Sequence, residues 1–286
     1  MIGIKKITPL AGYSGCSLFL CWYKAGYFVR KYSKSRDFNP RLMKQMEKQE
    51  YLSQRNKRSE YFVPRVLRAG KEHGLFFFDM EYIAGENVFH YAQHRSYADI
   101  DRIMRNIFNI VVDFSREKVS NRSDIYEGTR QKVESILASV KLGSRIQEKV
   151  LAKIKLLSHV EFPRSLCHGD LTLENIIVGR NGALYLIDML DSYYDSYWFD
   201  LGKLHQDFEM NGSLTSVFGL SKPLSKVRFM SKKLTTFCTE FAPDYLKVHH
   251  LVMMLVFLRI LPYAKNKGKF NRILERVLFH IEHIRC

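Results

Sequence analysis

Cysteine, proline and glycine are scarce in this 286-residue chain, and no uninterrupted apolar run reaches the length of a bilayer span. The five cysteines (Cys16, Cys21, Cys167, Cys238, Cys286) are odd in number and widely scattered, which excludes a disulfide framework and predicts reduced thiols. Seven prolines and 16 glycines exclude a proline-rich scaffold and a collagen-like repeat. An apolar share of 46% with 13% aromatics excludes a disordered chain. The start, MIGIKKITPL, has no apolar run followed by a small-residue cleavage site, so the expectation is a soluble cytoplasmic protein. The longest apolar stretch, residues 251–258, reaches Leu261 only across Arg259. A span needs about 18 apolar residues, so this stretch is expected to be a buried helix.

Charge of one sign is in surplus. The chain has 45 Lys and Arg against 29 Asp and Glu, a net +16. That balance suits nucleic acid, an anionic membrane surface or phosphorylated ligands, and composition does not choose among them. No nucleic-acid recognition motif accompanies the charge, so no specific nucleic-acid partner is expected. At roughly 150 residues per domain, the length suits two domains or one bilobed fold.

The first eighty residues alternate apolar runs with turn signals. Ile2, Ile4 and Ile7 come first, then the small-residue turn Gly12-Tyr13-Ser14-Gly15-Cys16-Ser17. Residues 18–23 and 27–32 follow as strand formers around Lys24-Ala25-Gly26, predicting three successive strands. Asn39-Pro40 punctuates the chain, and residues 41–55 read as a helix with Leu42, Met43 and Met46 on one side. Short strands are expected at 63–67 and 75–78, the latter holding the apolar Phe76-Phe77-Phe78. From Asp99 the period changes. Ile100, Ile103, Met104, Ile107, Phe108, Val111 and Phe114 recur at three and four, the spacing of an amphipathic helix. Residues 131–157 repeat the pattern with a break near Gly143, and 224–286 read as mostly helical. Between these regions, Ile176-Ile177-Val178 and Leu184-Tyr185-Leu186-Ile187 flank Gly179-Arg180-Asn181-Gly182, whose Asn-Gly pair predicts a hairpin. The expectation is an α+β chain, with a small antiparallel-sheet lobe over residues 1–83 and a larger, mainly helical lobe over 84–286.

The chemistry gathers around that hairpin. Cys167-His168-Gly169-Asp170 leads to Asn175 before it, and Asp188 leaves its second strand. Phosphoryl transfer needs a carboxylate for the acceptor hydroxyl and hard oxygen ligands for Mg²⁺ on the nucleotide phosphates. An aspartate on a loop, an asparagine five residues on and an aspartate after a hairpin match the catalytic and metal loops of kinases.

HGDLTLENIIV followed by LID, with Trp198-Phe199-Asp200-Leu201 beyond, resembles the aminoglycoside phosphotransferase and choline kinase superfamily. The resemblance implies a bilobed protein-kinase-like fold, with a nucleotide-binding lobe and hinge at 1–83 and a catalytic, substrate-binding lobe at 84–286. It implies Asp170 as the catalytic base or hydroxyl-orienting residue, and Asn175 and Asp188 as Mg²⁺ ligands. His168 and Asp200 would brace the catalytic loop. Gly12, Ser14 and Gly15 would cover the phosphates of ATP, and Lys31 would contact the α- and β-phosphates. Arg30 faces the other way in a period-2 strand. Glu47 is the candidate ion-pair partner of Lys31, with Glu50 as competitor. Backbone groups of Glu81 and Ile83 would bond adenine.

Protein kinases carry Arg between the His and Asp of the catalytic loop, where this chain has Gly169, and Phe-Gly after the metal aspartate, where it has Met189-Leu190. Only eleven residues lie between Asp188 and Asp200, too few for an activation loop and peptide platform. A small-molecule hydroxyl is therefore the expected acceptor. The stretch from Ile187 to Lys203 resembles phosphotransferases of bacterial surface-polysaccharide biosynthesis, pointing to a sugar, a sugar derivative or an amino alcohol. The positive balance also suits an anionic or lipid-linked substrate and peripheral contact with an anionic membrane. A nucleotide-binding scaffold without activity is the alternative from another class, and the intact Asp170, Asn175 and Asp188 speak against it. Asp191 and Asp195 read as surface-loop residues or the border of an acceptor pocket. Cys167-His168 has no second pair at zinc spacing, and His280-Ile281-Glu282-His283 reads as a polar helix face.

Overall fold

The computed structural model describes residues 5–10, 16–24, 26–55, 61–119, 124–190, 193–210 and 223–285. They divide into two compact units, Met1–Tyr91 with Glu174–Asp191, and Ala92–Leu173 with Ser192–Cys286.

The first unit is built on a five-stranded antiparallel sheet in the order β1-β2-β3-β6-β5. Its strands are β1 (Lys5–Leu10), β2 (Ser17–Tyr23), β3 (Gly26–Tyr32), β5 (Val66–Glu72) and β6 (Leu75–Glu81). Helix α1 (Asn39–Arg55) follows β3, with Pro40 in its first turn. In a period-2 strand, alternate residues serve opposite faces. Val29 and Lys31 oppose Met80 and Phe78 across the β3–β6 ladder, while Arg30 and Tyr32 oppose Asp79 and Phe77. One face packs Val29, Phe76, Phe78 and Met80 with Phe38 and Leu42. Burial of each such side chain contributes about 1.5–3 kcal/mol.

The other face holds a buried charge cluster. Arg30 Nε and Nη2 donate to the two Asp79 oxygens at 2.6 and 2.9 Å, and Arg30 Nη1 donates to Glu72 at 3.0 Å. The guanidinium also lies over the Phe77 ring, 4.2 Å from its centroid. Asp79, beyond the strand expected at 75–78, is therefore part of the sheet, and β6 runs on through Glu81.

The predicted hairpin is β8 (Ile176–Gly179) and β9 (Leu184–Leu186), joined through Gly182 at φ +78°. It belongs to a second sheet, ordered β4-β9-β8-β7 with β4 (Tyr61–Phe62) and β7 (Gly85–Asn87). β7 pairs antiparallel with β8, and β4 pairs parallel with β9. These pairings assign residues 174–191 to the first unit, unlike the expected division at 83/84. The cause is pairing between segments far apart in sequence, which local periodicity does not encode. A Cβ at Gly85 would stand 2.3 Å from the Val178 carbonyl oxygen, so this pairing admits only glycine there.

The second unit is helical, and α2 (Val88–His94) contains the division between Tyr91 and Ala92. Helix α3 (Tyr97–Arg116) buries Ile100, Ile103, Met104, Ile107, Phe108, Val111 and Phe114, the expected stripe. The Ser96 side chain caps it by accepting from the Asp99 N–H. Helices α4 (Ile125–Ser139) and α5 (Ser144–Ile154) flank the break at Gly143. Helices α6 (Tyr197–Glu209), α7 (Pro223–Phe241), α8 (Pro243–Ile260) and α9 (Lys267–His283) follow. The segment Pro243–Tyr263 is long and apolar enough to cross a membrane. Here every residue from 251 to 258 is buried within the fold, as expected of a core helix packed against α6 and α9.

Candidate active site

Each unit carries one set of the expected residues. In the first, Lys31 is only 3% exposed, and its ammonium donates to Gln45 Oε1 at 3.0 Å and pairs with the Asp188 carboxylate. Gln45, rather than Glu47 or Glu50, is thus the α1 residue at Lys31. Helix phase explains the difference. α1 buries Leu42, Gln45, Gln49 and Leu52, a stripe at three- and four-residue spacing. Glu47 sits about 200° around the helix from Gln45 at 100° per residue, and both Glu47 and Glu50 are exposed. The Gln45 Nε2 is buried with no partner among the described residues.

Asn175 and Asp188 stand at the open end of the β8–β9 hairpin, where the Ile187 N–H donates to the Asn175 carbonyl at 3.0 Å. Asp188 adopts the left-handed conformation at φ +61°, uncommon for a residue with a side chain and frequent at functional sites. An amide and a carboxylate offer the hard oxygen donors that suit Mg²⁺. Lys48 Nζ donates to the Leu190 carbonyl at 2.9 Å, tying α1 to the segment after Asp188. Glu81 accepts from Arg65 Nε at 2.6 Å, and its N–H donates to the Arg65 carbonyl at 3.1 Å. Ile83 lies partly buried between β6 and β7. Gly12, Ser14 and Gly15 lie outside the described residues, as does Asp191.

In the second unit, Asp200 is fully buried in the first turn of α6 and accepts from the N–H groups of His168 at 2.6 Å and Gly169 at 2.9 Å. Both of its oxygens therefore hold the loop by its backbone. Gly169 is left-handed at φ +85°, a conformation glycine adopts without steric cost. Its carbonyl accepts from Arg259 Nη1 of α8 at 2.8 Å. His168 is fully buried, and its Nδ1 accepts from the Asp170 N–H at 3.2 Å. The Leu173 N–H donates to Asp207 at 2.6 Å. Asp195 accepts a hydrogen bond from the Cys167 thiol at 3.4 Å and is partly buried.

The Asp170 carboxylate projects from this clamped loop. Lys203 Nζ, buried in α6, lies 2.8 Å from its Oδ1 and also donates to Gln206 at 2.7 Å. Burial favours the neutral carboxyl, but the Lys203 and Arg259 cations outweigh it and hold Asp170 below the usual carboxylate range. The result is a partly exposed, fixed and ionised carboxylate.

Gln45, Lys203, Arg259 and Asp207 escaped the motif reading. Lys203 did have a signal, being a lysine three residues after Asp200 in an otherwise apolar turn. Arg259 had one too, as the sole charge between 251 and 261. Gln45 could have been found only from the phase of α1.

The sequence model of the phosphotransferase enzyme family matches residues 6–217, more than half of the chain. The chain belongs to the phosphotransferase enzyme family. The chain is also similar in fold to choline kinase LicA from Streptococcus pneumoniae, with a TM-score of 0.61 at 15% identity over 99% of this chain and 94% of that one. It is similar to a thermostable aminoglycoside phosphotransferase APH(4)-Ia in complex with ADP and hygromycin B, with a TM-score of 0.62 at 12% identity over 98% and 93% of the two chains. The Plasmodium vivax ethanolamine kinase aligns at a TM-score of 0.56 and 12% identity over 99% and 83%. A comparison with curated protein sequences gives no match. At these identities the likeness establishes the protein-kinase-like fold.

Proposed function

We propose that this phosphotransferase moves the γ-phosphoryl group of ATP to a hydroxyl of a small molecule. The observation that carries the reading is Asp170, kept ionised by Lys203 on a loop whose backbone Asp200 grips. In the reaction, the acceptor hydroxyl hydrogen-bonds to the Asp170 carboxylate, which orients its oxygen toward the γ-phosphorus. The new O–P bond forms as the bond to the β-phosphate oxygen breaks, ADP leaves, and the hydroxyl proton passes to Asp170 and then to water. Lys31 turns from Asp188 to the phosphates and offsets their charge. Asn175 and Asp188 would hold Mg²⁺, which neutralises charge on the phosphates when bound. Glu81 and Ile83 would present backbone groups to adenine.

The acceptor in this reading is a sugar, a sugar derivative or an amino alcohol, with surface-polysaccharide biosynthesis in the cytoplasm as the setting. Support comes from the Ile187–Lys203 stretch and from the short interval between Asp188 and Asp200, which leaves no room for a peptide platform. The test is a panel of alcohols, sugars and amino alcohols incubated with purified protein and MgATP, with phosphorylated product read by mass spectrometry. One phosphorylated acceptor is the expected result. MgATP binding without transfer to any acceptor would favour the scaffold reading instead.

A further inference from the structure

Five of the chain's ten histidines gather in the second unit: His205 on α6, His249 and His250 on α8, and His280 and His283 on α9. Their rings touch in series, with centroids 4.7 Å apart for His205–His249 and 5.2 Å apart for both His249–His250 and His250–His280. His283 completes the series 5.3 Å from His250. Within the group, one ring nitrogen from each of His249, His250 and His280 lies within 4.8 Å of the others.

The inner geometry is specific. His250 Nδ1 and His280 Nδ1 are 2.9 Å apart. Two nitrogens on one tetrahedral zinc stand about 3.3 Å apart, given Zn–N bonds of about 2.0–2.1 Å. A shift of a few tenths of an ångström separates the two arrangements. The other nitrogen of His280, Nε2, lies 2.9 Å from Glu209 Oε2, and Arg276 Nε donates to the same oxygen at 3.1 Å. A carboxylate that takes the far N–H of an imidazole fixes its tautomer and leaves the near nitrogen's lone pair for an ion. Here that lone pair is on Nδ1, toward His250. His280 is fully buried, while His249 and His250 are partly exposed and leave an approach from solvent.

We propose that His249, His250 and His280 form a binding site for one divalent transition-metal ion, zinc foremost, which ties α8 to α9. Three imidazoles suit zinc, nickel or copper and are poor ligands for magnesium or calcium. Glu209 is a positioning residue that acts through His280. None of the three histidines belongs to the Asp170 or Lys31–Asp188 sets, so the proposal stands apart from phosphoryl transfer.

The test uses the whole chain, stripped with a chelator and titrated with zinc chloride, with magnesium chloride as control. Bound metal after gel filtration, the thermal midpoint and the visible spectrum of the cobalt(II) form are read. The expected result is one zinc per chain, a midpoint raised by zinc and not by magnesium, and cobalt bands of imidazole ligation. Replacing the buried His280 endangers the fold, so the partly exposed residues decide. The double variant His249→Gln/His250→Gln should lose all three signals, and His283→Gln should keep them. Glu209→Gln should weaken zinc binding roughly 10–100-fold. Wild-type chain that retains no zinc, or a double variant that retains as much as wild type, would overturn the proposal and leave a hydrogen-bonded histidine network.

Discussion

Asp170 is set by a contest between burial and two cations, and one substitution shifts the balance. With Lys203 present its carboxyl titrates below the ordinary range, so it is ionised at every pH above that and adds no acid limb near neutrality. Lys203→Met removes the cation at 2.8 Å and leaves Arg259 alone against burial, so the value rises. The expected kcat/KM profile is flat on its acid side for the wild type and falls with decreasing pH in the variant. A variant with the wild-type acid side would show that Lys203 does not govern Asp170. At Lys31 the contact with Gln45 predicts that Gln45→Ala raises the KM for ATP about 10–100-fold, the worth of one hydrogen bond from a charged group, while Glu47→Ala leaves it unchanged. The reverse order would restore Glu47 as the partner. On the opposite face of the sheet, Arg30 is 2% exposed and depends on Asp79. Asp79→Ala removes the carboxylate that holds two nitrogens of this buried guanidinium, leaving it Glu72, and should cost about 3 kcal/mol in urea unfolding, against under 1 kcal/mol for an exposed pair.

At the scale of elements, the β8–β9 hairpin holds Asn175 and Asp188, and β7 supports it from the side. Gly85→Val would drive a side chain into the Val178 carbonyl, so the expected loss is about 1–3 kcal/mol, with weaker MgATP binding as the hairpin shifts. Unchanged stability would mean that β7 is not needed to hold the hairpin. Much of this layer was legible beforehand. The apolar period changed at Asp99 where helices take over, Pro40 sits in the first turn of α1, and Asn181-Gly182 turns the hairpin. The pairing of β7 with β8 and of β4 with β9 was not legible, because strands of two or three residues carry almost no pattern. Glu47 was misplaced for a related reason. A charged residue draws notice, whereas the buried Gln45 is seen only once the phase of α1 is known. Asp200 and the loop it grips could be read from the sequence through family resemblance, and Lys203 and Arg259 only through their isolation among apolar neighbours.

At the scale of the molecule, the chain is a phosphotransferase-family member whose hairpin residues belong with the sheet and whose Asp170 loop belongs with the helices. The net +16 does not mark the chemistry. Lys31 and Lys203 each face a carboxylate, and the groups assigned to the reaction are mainly acidic. The surplus is better suited to drawing in anionic nucleotide or an anionic acceptor by long-range attraction, which salt screens. In the proposed reaction Asp170 serves phosphoryl transfer and not nucleotide binding. The direct measurement is transfer of the γ-phosphoryl group to the identified acceptor by wild type and Asp170→Asn, alongside the MgATP dissociation constant of each. With Asp170 orienting the acceptor hydroxyl, the expected kcat of the variant is lower by about 100- to 10,000-fold with MgATP affinity unchanged. Transfer at the wild-type rate by Asp170→Asn would contradict that role.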